Sequence, residues 1–223
     1  WRIYRERQRH HLLGSERGAR LRDNQADGEQ RQQGNATSLL PSPPEAGKFY
    51  NITLDKDKGY TDDGQGNYTV TSAEGLKNIA KLVNEQWNLG INITLTADID
   101  LSGIDWTPIG IDYNHQYKGT FNGGGHTITG LTVTTSDQYA GLFGYIGSGG
   151  TVKDVTLEGV QIATTHSVGD AGGVAGYSYG NIENCSVSGS VSVSGMNGFA
   201  GGVVGYQSGG FLTECSSSAT VNA

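Results

Sequence analysis

The sequence predicts an all-β chain wound into a parallel β-helix, with coils of about 30 residues and an α-helix capping its N-terminal end. Three observations carry that expectation. A glycine-framed phrase occurs three times, as Gly141-Leu142-Phe143-Gly144-Tyr145, Gly173-Val174-Ala175-Gly176-Tyr177 and Gly202-Val203-Val204-Gly205-Tyr206, with glycine–tyrosine junctions 32 and 29 residues apart. A second phrase follows each copy and aligns without a gap at a spacing of 30: Val152 to Gly159, Ile182 to Gly189, Leu212 to Ala219. The 36 glycines and the 17% share of charged residues among 223 suit a turn-rich chain with a thin core. Two phrases recurring at one period mark a repeat architecture.

Each repeat reads as two or three short strands. Val155 and Leu157, Cys185 and Val187 alternate with Thr, Ser and Asn, the period-two pattern of a half-buried strand. Val160 with Ile162, and Val191 with Val193, continue it, and glycines punctuate the runs. A unit this small cannot bury its own apolar face, so it stacks on its neighbours. Propeller blades are the rival, but their units usually run to about 40 residues or more. In a parallel coil, Val155, Cys185 and Cys215 stack inward, with Leu157, Val187 and Ser217 beside them.

Charge divides the chain. All eight arginines fall between Arg2 and Arg31, and all seven lysines at Lys48 or later. Residues 1–48 lack periodicity, end in Pro41-Ser42-Pro43-Pro44, and read as a disordered or foreign basic tail and linker. The arginines are interspersed with Glu6, Glu16, Asp23, Asp27 and Glu29, which argues against a nucleic-acid-binding arm. Residues 49–223 carry six lysines against 16 acids, so nucleic acid is not the expected partner. No apolar run reaches the roughly 18 residues of a membrane span, and no signal peptide is visible. The chain reads as a fragment cut at both ends, truncated within its β-helix.

Taken in order, Phe49 to Leu54 alternates as a strand. Asp55, Asp57, Asp62, Asp63 and Gly64 crowd a turn that lacks the ligand order of a calcium loop and reads as a solvated acidic turn. Tyr68 to Thr71 is the next strand. Thr71 with Glu74 forms a capping box, and Leu76, Ile79, Ala80, Val83 and Trp87 share one helical face that Gly90 terminates. That stripe suits a cover for the open end of the coil. Ile91 to Leu95 begins the following strand, and irregular first coils lead to the regular ones.

The Gly141-Leu142-Phe143-Gly144 phrase resembles the GLUG motif of bacterial surface proteins, found in streptococcal IgA1-specific metallopeptidases, filamentous-haemagglutinin-like adhesins and gut-bacterial surface proteins. The prelude resembles that family too: a helix, then Leu95 to Leu101, Trp106-Thr107-Pro108-Ile109-Gly110, and Gly119 to Gly123 before Gly130-Leu131. The resemblance covers about residues 66–223. It implies a right-handed β-helix exported to the cell surface, and it says little about activity. Copies two and three place Val where the motif has Leu, which preserves an apolar ladder.

Catalytic signals are sparse. Of His10, His11, His115, His126 and His166, none is followed by Glu, so the paired-histidine zinc motif of a metallopeptidase is missing. Cys185 and Cys215 read as buried free thiols, with a disulfide the alternative. Asp98, Asp100 and Asp105 beside Trp106 form the strongest acidic cluster, a candidate for sugar contact or for the paired acids of a glycosidase. The alternative is a turn whose Asp side chains bond their own backbone. Tyr145, Tyr177 and Tyr206 form a second candidate ligand surface, against a purely structural aromatic stack. The expected function is a non-catalytic module of a surface or secreted protein, adhesin-like in binding or display. Its expected partners are a host glycan, a surface protein, or further coils of the parent chain. No metal or cofactor is expected. The alternatives are a polysaccharide lyase or hydrolase, and a structural stalk.

Overall fold

The computed structural model describes residues 58–223. The strand expected at 49–54 and the basic tail of 1–48 lie outside them. Strands β1 (Tyr60–Asp62) and β2 (Asn67–Val70) pair antiparallel. Their connection is held by its own carboxylates. Asp63 Oδ1 accepts from the backbone N–H of Gln65 at 2.8 Å and of Asn67 at 3.1 Å, and its Oδ2 accepts from the Asn67 amide at 2.7 Å. Those bonds, led by the Asn67 amide, hold the Asp63 carboxyl below its usual range. The Asp62–Gly64 turn is a self-bonded acidic turn.

Helix α1 (Ala73–Gln86) follows. Its cap is Ser72 rather than Thr71: Ser72 is extended, and its Oγ accepts from the Gly75 N–H at 3.2 Å. The C-terminal end also differs from expectation. Trp87 already stands in the left-handed region at φ 59°, so the helix stops before Gly90 and Trp87 leaves the apolar face, 58% exposed. Leu76, Ile79, Ala80 and Val83 are buried in the same continuous core as Val70, Ile91 and Ile93. At roughly 1.5–3 kcal/mol for each large side chain, that face outweighs the cap in fixing the helix.

The rest is a solenoid of four parallel ladders. The first runs β2, β3 (Asn92–Leu95), β5 (Thr120–Asn122), β10 (Thr151–Lys153), β14 (Asn181–Glu183) and β18 (Leu212–Thr213). The second holds β4 (Ile99–Asp100), β6 (Thr127–Thr129), β11 (Thr156–Thr164), β15 (Ser186–Val193) and β19 (Ser216–Ser217), with β7 (Thr132–Thr135) on β11 and β20 (Thr220–Asn222) on β15. The third stacks β8 (Tyr139–Ala140), β12 (Asp170–Gly172) and β16 (Phe199–Gly201). The fourth stacks β9 (Phe143–Ile146), β13 (Ala175–Ser178) and β17 (Val204–Gln207).

The expected register stands. Val152 pairs Ile182, and Leu157 pairs Val187, which pairs Ser217. Val155 and Cys185 are buried, and Cys215 is half-buried in the outermost of these coils. Both thiols are free, and burial pushes the Cys185 thiol up to about 12. The corner before each of these residues is made by Asp154, Asn184 and Glu214, all left-handed at φ 55°, 49° and 53°. The Asn184 amide donates to Asp154 Oδ1 at 2.8 Å, tying adjacent coils at that corner. No described helix is long and apolar enough to cross a membrane.

Candidate functional site

The glycine phrase shapes one flank of the solenoid. A Cβ on Gly144 would lie 2.6 Å from the Gly110 carbonyl oxygen, and one on Gly176 would lie 2.6 Å from that of Asp170. Glycine at this corner therefore lets β9 close on the Gly110 loop and β13 fold tightly against β8 and β12. Two side-chain ladders emerge next to each other as a result. Tyr145, Tyr177 and Tyr206 are in register on one, and Tyr139, Asp170 and Phe199 on the other.

The tyrosine ladder is a face-to-face stack. Ring centroids of Tyr145 and Tyr177 lie 4.6 Å apart with planes at 21°, and those of Tyr177 and Tyr206 lie 5.2 Å apart at 18°. Tyr145 is 3% exposed and Tyr206 38%. Burial, before the neighbouring phenols, pushes the Tyr145 hydroxyl up. Tyr139 packs edge-on against both Tyr145 and Tyr177, at 5.3 and 5.7 Å. Since each ring covers its neighbour's face, the ladder offers a ligand ring edges and hydroxyls rather than flat platforms.

Where the two ladders meet, a shallow groove of about 380 Å³ opens between Gln138, Val168, Asp170, Tyr177, Asn197, Phe199 and Tyr206. Asp170 is 6% exposed. Burial raises its carboxyl to about 6, opposed by the Phe199 backbone N–H and by His166. Phe199, 51% exposed, leans on Tyr206 with centroids 5.0 Å apart. Val168 and Asn197 come from the loops that precede β12 and β16.

The Asp98–Trp106 cluster is arranged differently. Asp98 Oδ1 accepts from the Thr127 N–H at 3.0 Å and meets His126 Nδ1 at 3.1 Å. Asp100 Oδ1 accepts from the Ser102 N–H at 2.9 Å. The bond from Thr127 lowers Asp98, and bonds from Ser102 lower Asp100. Asp105 is exposed. Trp106 corrects the sequence reading: it is 5% exposed, and its Nε1–H donates to the Leu142 carbonyl at 3.2 Å, so its ring belongs to the core and presents no surface to a sugar. Two carboxyls held down by local hydrogen bonds are poor proton donors near neutral pH.

The structure thus brings Tyr177 and Tyr206 to a groove, buries Tyr145 and Trp106, and leaves Asp98 bonded to Thr127 and His126 of the next coil and Asp100 to Ser102 of its own turn. Asp170, Phe199, Gln138 and Asn197 belong to none of the motifs that the sequence singles out. The signal was there in the register: Asp170 interrupts a ladder that is aromatic on either side, at Tyr139 and Phe199.

Comparison with known proteins agrees with this fold. Residues 167–192 match the GLUG motif. Over 123 residues, 54% of this chain and 14% of the relative, the sequence is 36% identical to an Evansella cellulosilytica protein provisionally named a Gly-rich membrane protein. Over 154 residues, 63% of this chain and 2% of the relative, it is 36% identical to the halomucin of Haloquadratum walsbyi. The chain therefore spans a small part of either relative's length. A crystal structure from Bacteroides ovatus, provisionally named an immunoglobulin A1 protease, superposes with a TM-score of 0.51 at 21% identity, covering 69% of this chain and 58% of that one. That likeness speaks for the fold alone. The chain is a parallel β-solenoid bearing the GLUG motif, in the coil that supplies Asp170 and Tyr177.

Proposed function

We propose that this chain is a non-catalytic module of an extracellular or cell-surface protein, and that its solenoid binds or displays rather than reacts. The observation that carries the reading is the groove on the GLUG flank, where half-exposed Tyr206 and Phe199 adjoin Gln138 and Asn197. A concave site with apolar walls and a few placed polar groups is suited to ligand recognition. The names of the relatives, a membrane protein and a halomucin, support a place at the cell surface. The lowered carboxyls of Asp98 and Asp100 speak against a general acid in that turn. A structural stalk is the second reading, favoured by the closed faces of the tyrosine stack, which brace successive coils. A screen of the 223-residue chain against glycans and host surface proteins tests the proposal. Saturable binding without turnover supports it. Failure to bind anything leaves the stalk, and turnover of a uronic-acid polymer or peptide that Asp100→Asn or Asp105→Asn abolishes makes the Asp98–Trp106 turn an active site.

A further inference from the structure

Resting on the binding reading, the chemistry of the groove narrows the ligand. Its one carboxylic acid, Asp170, is almost wholly buried, and neither Lys nor Arg is among the residues lining it. A buried carboxylate of this kind is costly unless hydrogen-bond donors satisfy it; the Phe199 backbone N–H supplies one, and charge-assisted bonds from hydroxyl groups are among the strongest further ones available. Gln138 and Asn197 each supply a donor and an acceptor, which matches groups that do both. Phe199 and the edge of Tyr206 form the apolar wall.

From this set we infer that the groove binds an uncharged sugar ring, with Asp170 accepting from its hydroxyl groups and Asn197 and Gln138 bonding its rim. Anionic sugars are disfavoured, because a second carboxylate beside Asp170 would meet like charge with no basic side chain in the lining. An alkylammonium ligand is the competitor, since it too would complement the carboxylate. Such ligands are held over open aromatic faces. Tyr177 and Tyr206 lie 18° from parallel and cover each other's facing sides, which leaves the groove with the half-exposed Phe199 ring rather than a set of open faces around a cation. The carboxyl of Asp170, raised to about 6 by burial, fits a functional group held in the fold against its solvation preference.

The test is an amide-resolved NMR titration of the 223-residue chain with glucose, galactose and N-acetylglucosamine, and with glucuronate and choline as comparators. The neutral sugars are expected to shift the signals of Gln138, Asp170, Asn197 and Phe199. Glucuronate and choline are expected to bind at least tenfold more weakly. Asp170→Asn and the exposed loop variant Asn197→Ala should each weaken sugar binding about tenfold while keeping the dispersed spectrum of the folded chain. Choline binding as tightly as sugar, or sugar binding untouched by both variants, overturns the proposal. Sugar shifts on another face overturn this groove and leave the binding module standing. No binding here or in the wider screen removes both.

Discussion

Asp170→Asn tests whether the groove holds its carboxylate at the expense of stability. The folded carboxyl titrates near 6, against 3.8 for an unperturbed aspartate, and burial is the largest cause. For an acid whose folded value is raised, the folded state binds the proton more tightly than the unfolded state does. Stability is therefore lowest above pH 6, rises as pH falls from about 6 to 3.8, and gains nothing further below that. The gap corresponds to ~3 kcal/mol when the carboxyl is ionised in both states. Asn keeps the shape and lacks the charge, so the variant is expected to be more stable than the parent at pH 7.5 by up to that amount. The two should converge by pH 4. The titratable groups around the carboxyl are His166 before β12, Tyr139 on β8, Tyr177 on β13 and Tyr206 on β17. Desolvation raises Tyr139 and Tyr177, so both stay neutral across this range. Repeating the series in a His166→Gln background removes the imidazole that opposes the rise at Asp170. Urea unfolding midpoints at pH 7.5, 6, 5 and 4 read the difference directly. A variant less stable than the parent at pH 7.5, or a difference that does not shrink with falling pH, would refute the reasoning.

Three further outcomes follow from the packing. Leu76→Asp or Val83→Asp places a charge in the buried face of α1 and is expected to cost at least ~3 kcal/mol and to promote aggregation, as seen in light scattering; a monomer of unchanged stability would show that the helix covers nothing. Gly176→Ala drives a Cβ to 2.6 Å from the Asp170 carbonyl and 2.8 Å from the Ala140 backbone nitrogen, and should cost roughly 2–4 kcal/mol in thermal unfolding, far more than a surface Gly→Ala change. Maleimide labelling of the native chain at pH 8 should modify Cys215 well before Cys185, whose thiol is buried and pushed up to about 12, and equal rates would count against the inward stack.

The solenoid was legible because its two phrases repeat in register, so that the pairing of Val152 with Ile182 and of Leu157 with Val187 follows from alignment alone. Helix α1 was legible from its apolar spacing, but not its limits. Ser72 and Thr71 are equivalent as residue types, and the bond from the Gly75 N–H to Ser72 Oγ selects the cap, while Trp87 takes a left-handed conformation that a bulky residue rarely adopts. Trp106 was misread because an aromatic among acids has the same composition whether it faces solvent or core. Its neighbour Leu142 is 36 residues away in sequence, and the indole bond to that carbonyl decides the matter. The groove was hidden for the same reason. Gln138, Val168 and Asn197 lie on loops of successive coils with no shared phrase, and only stacking the coils brings them beside Asp170.

A module that binds without reacting holds its ligand and leaves it unchanged. The most direct measurement is the molar mass of a neutral polysaccharide, taken before and after prolonged incubation with the chain that retains it on a column. Retention, weakened by Asn197→Ala, and a polymer of unaltered mass are the expected result. A polymer shortened during incubation, with the loss suppressed by Asp100→Asn, would contradict it.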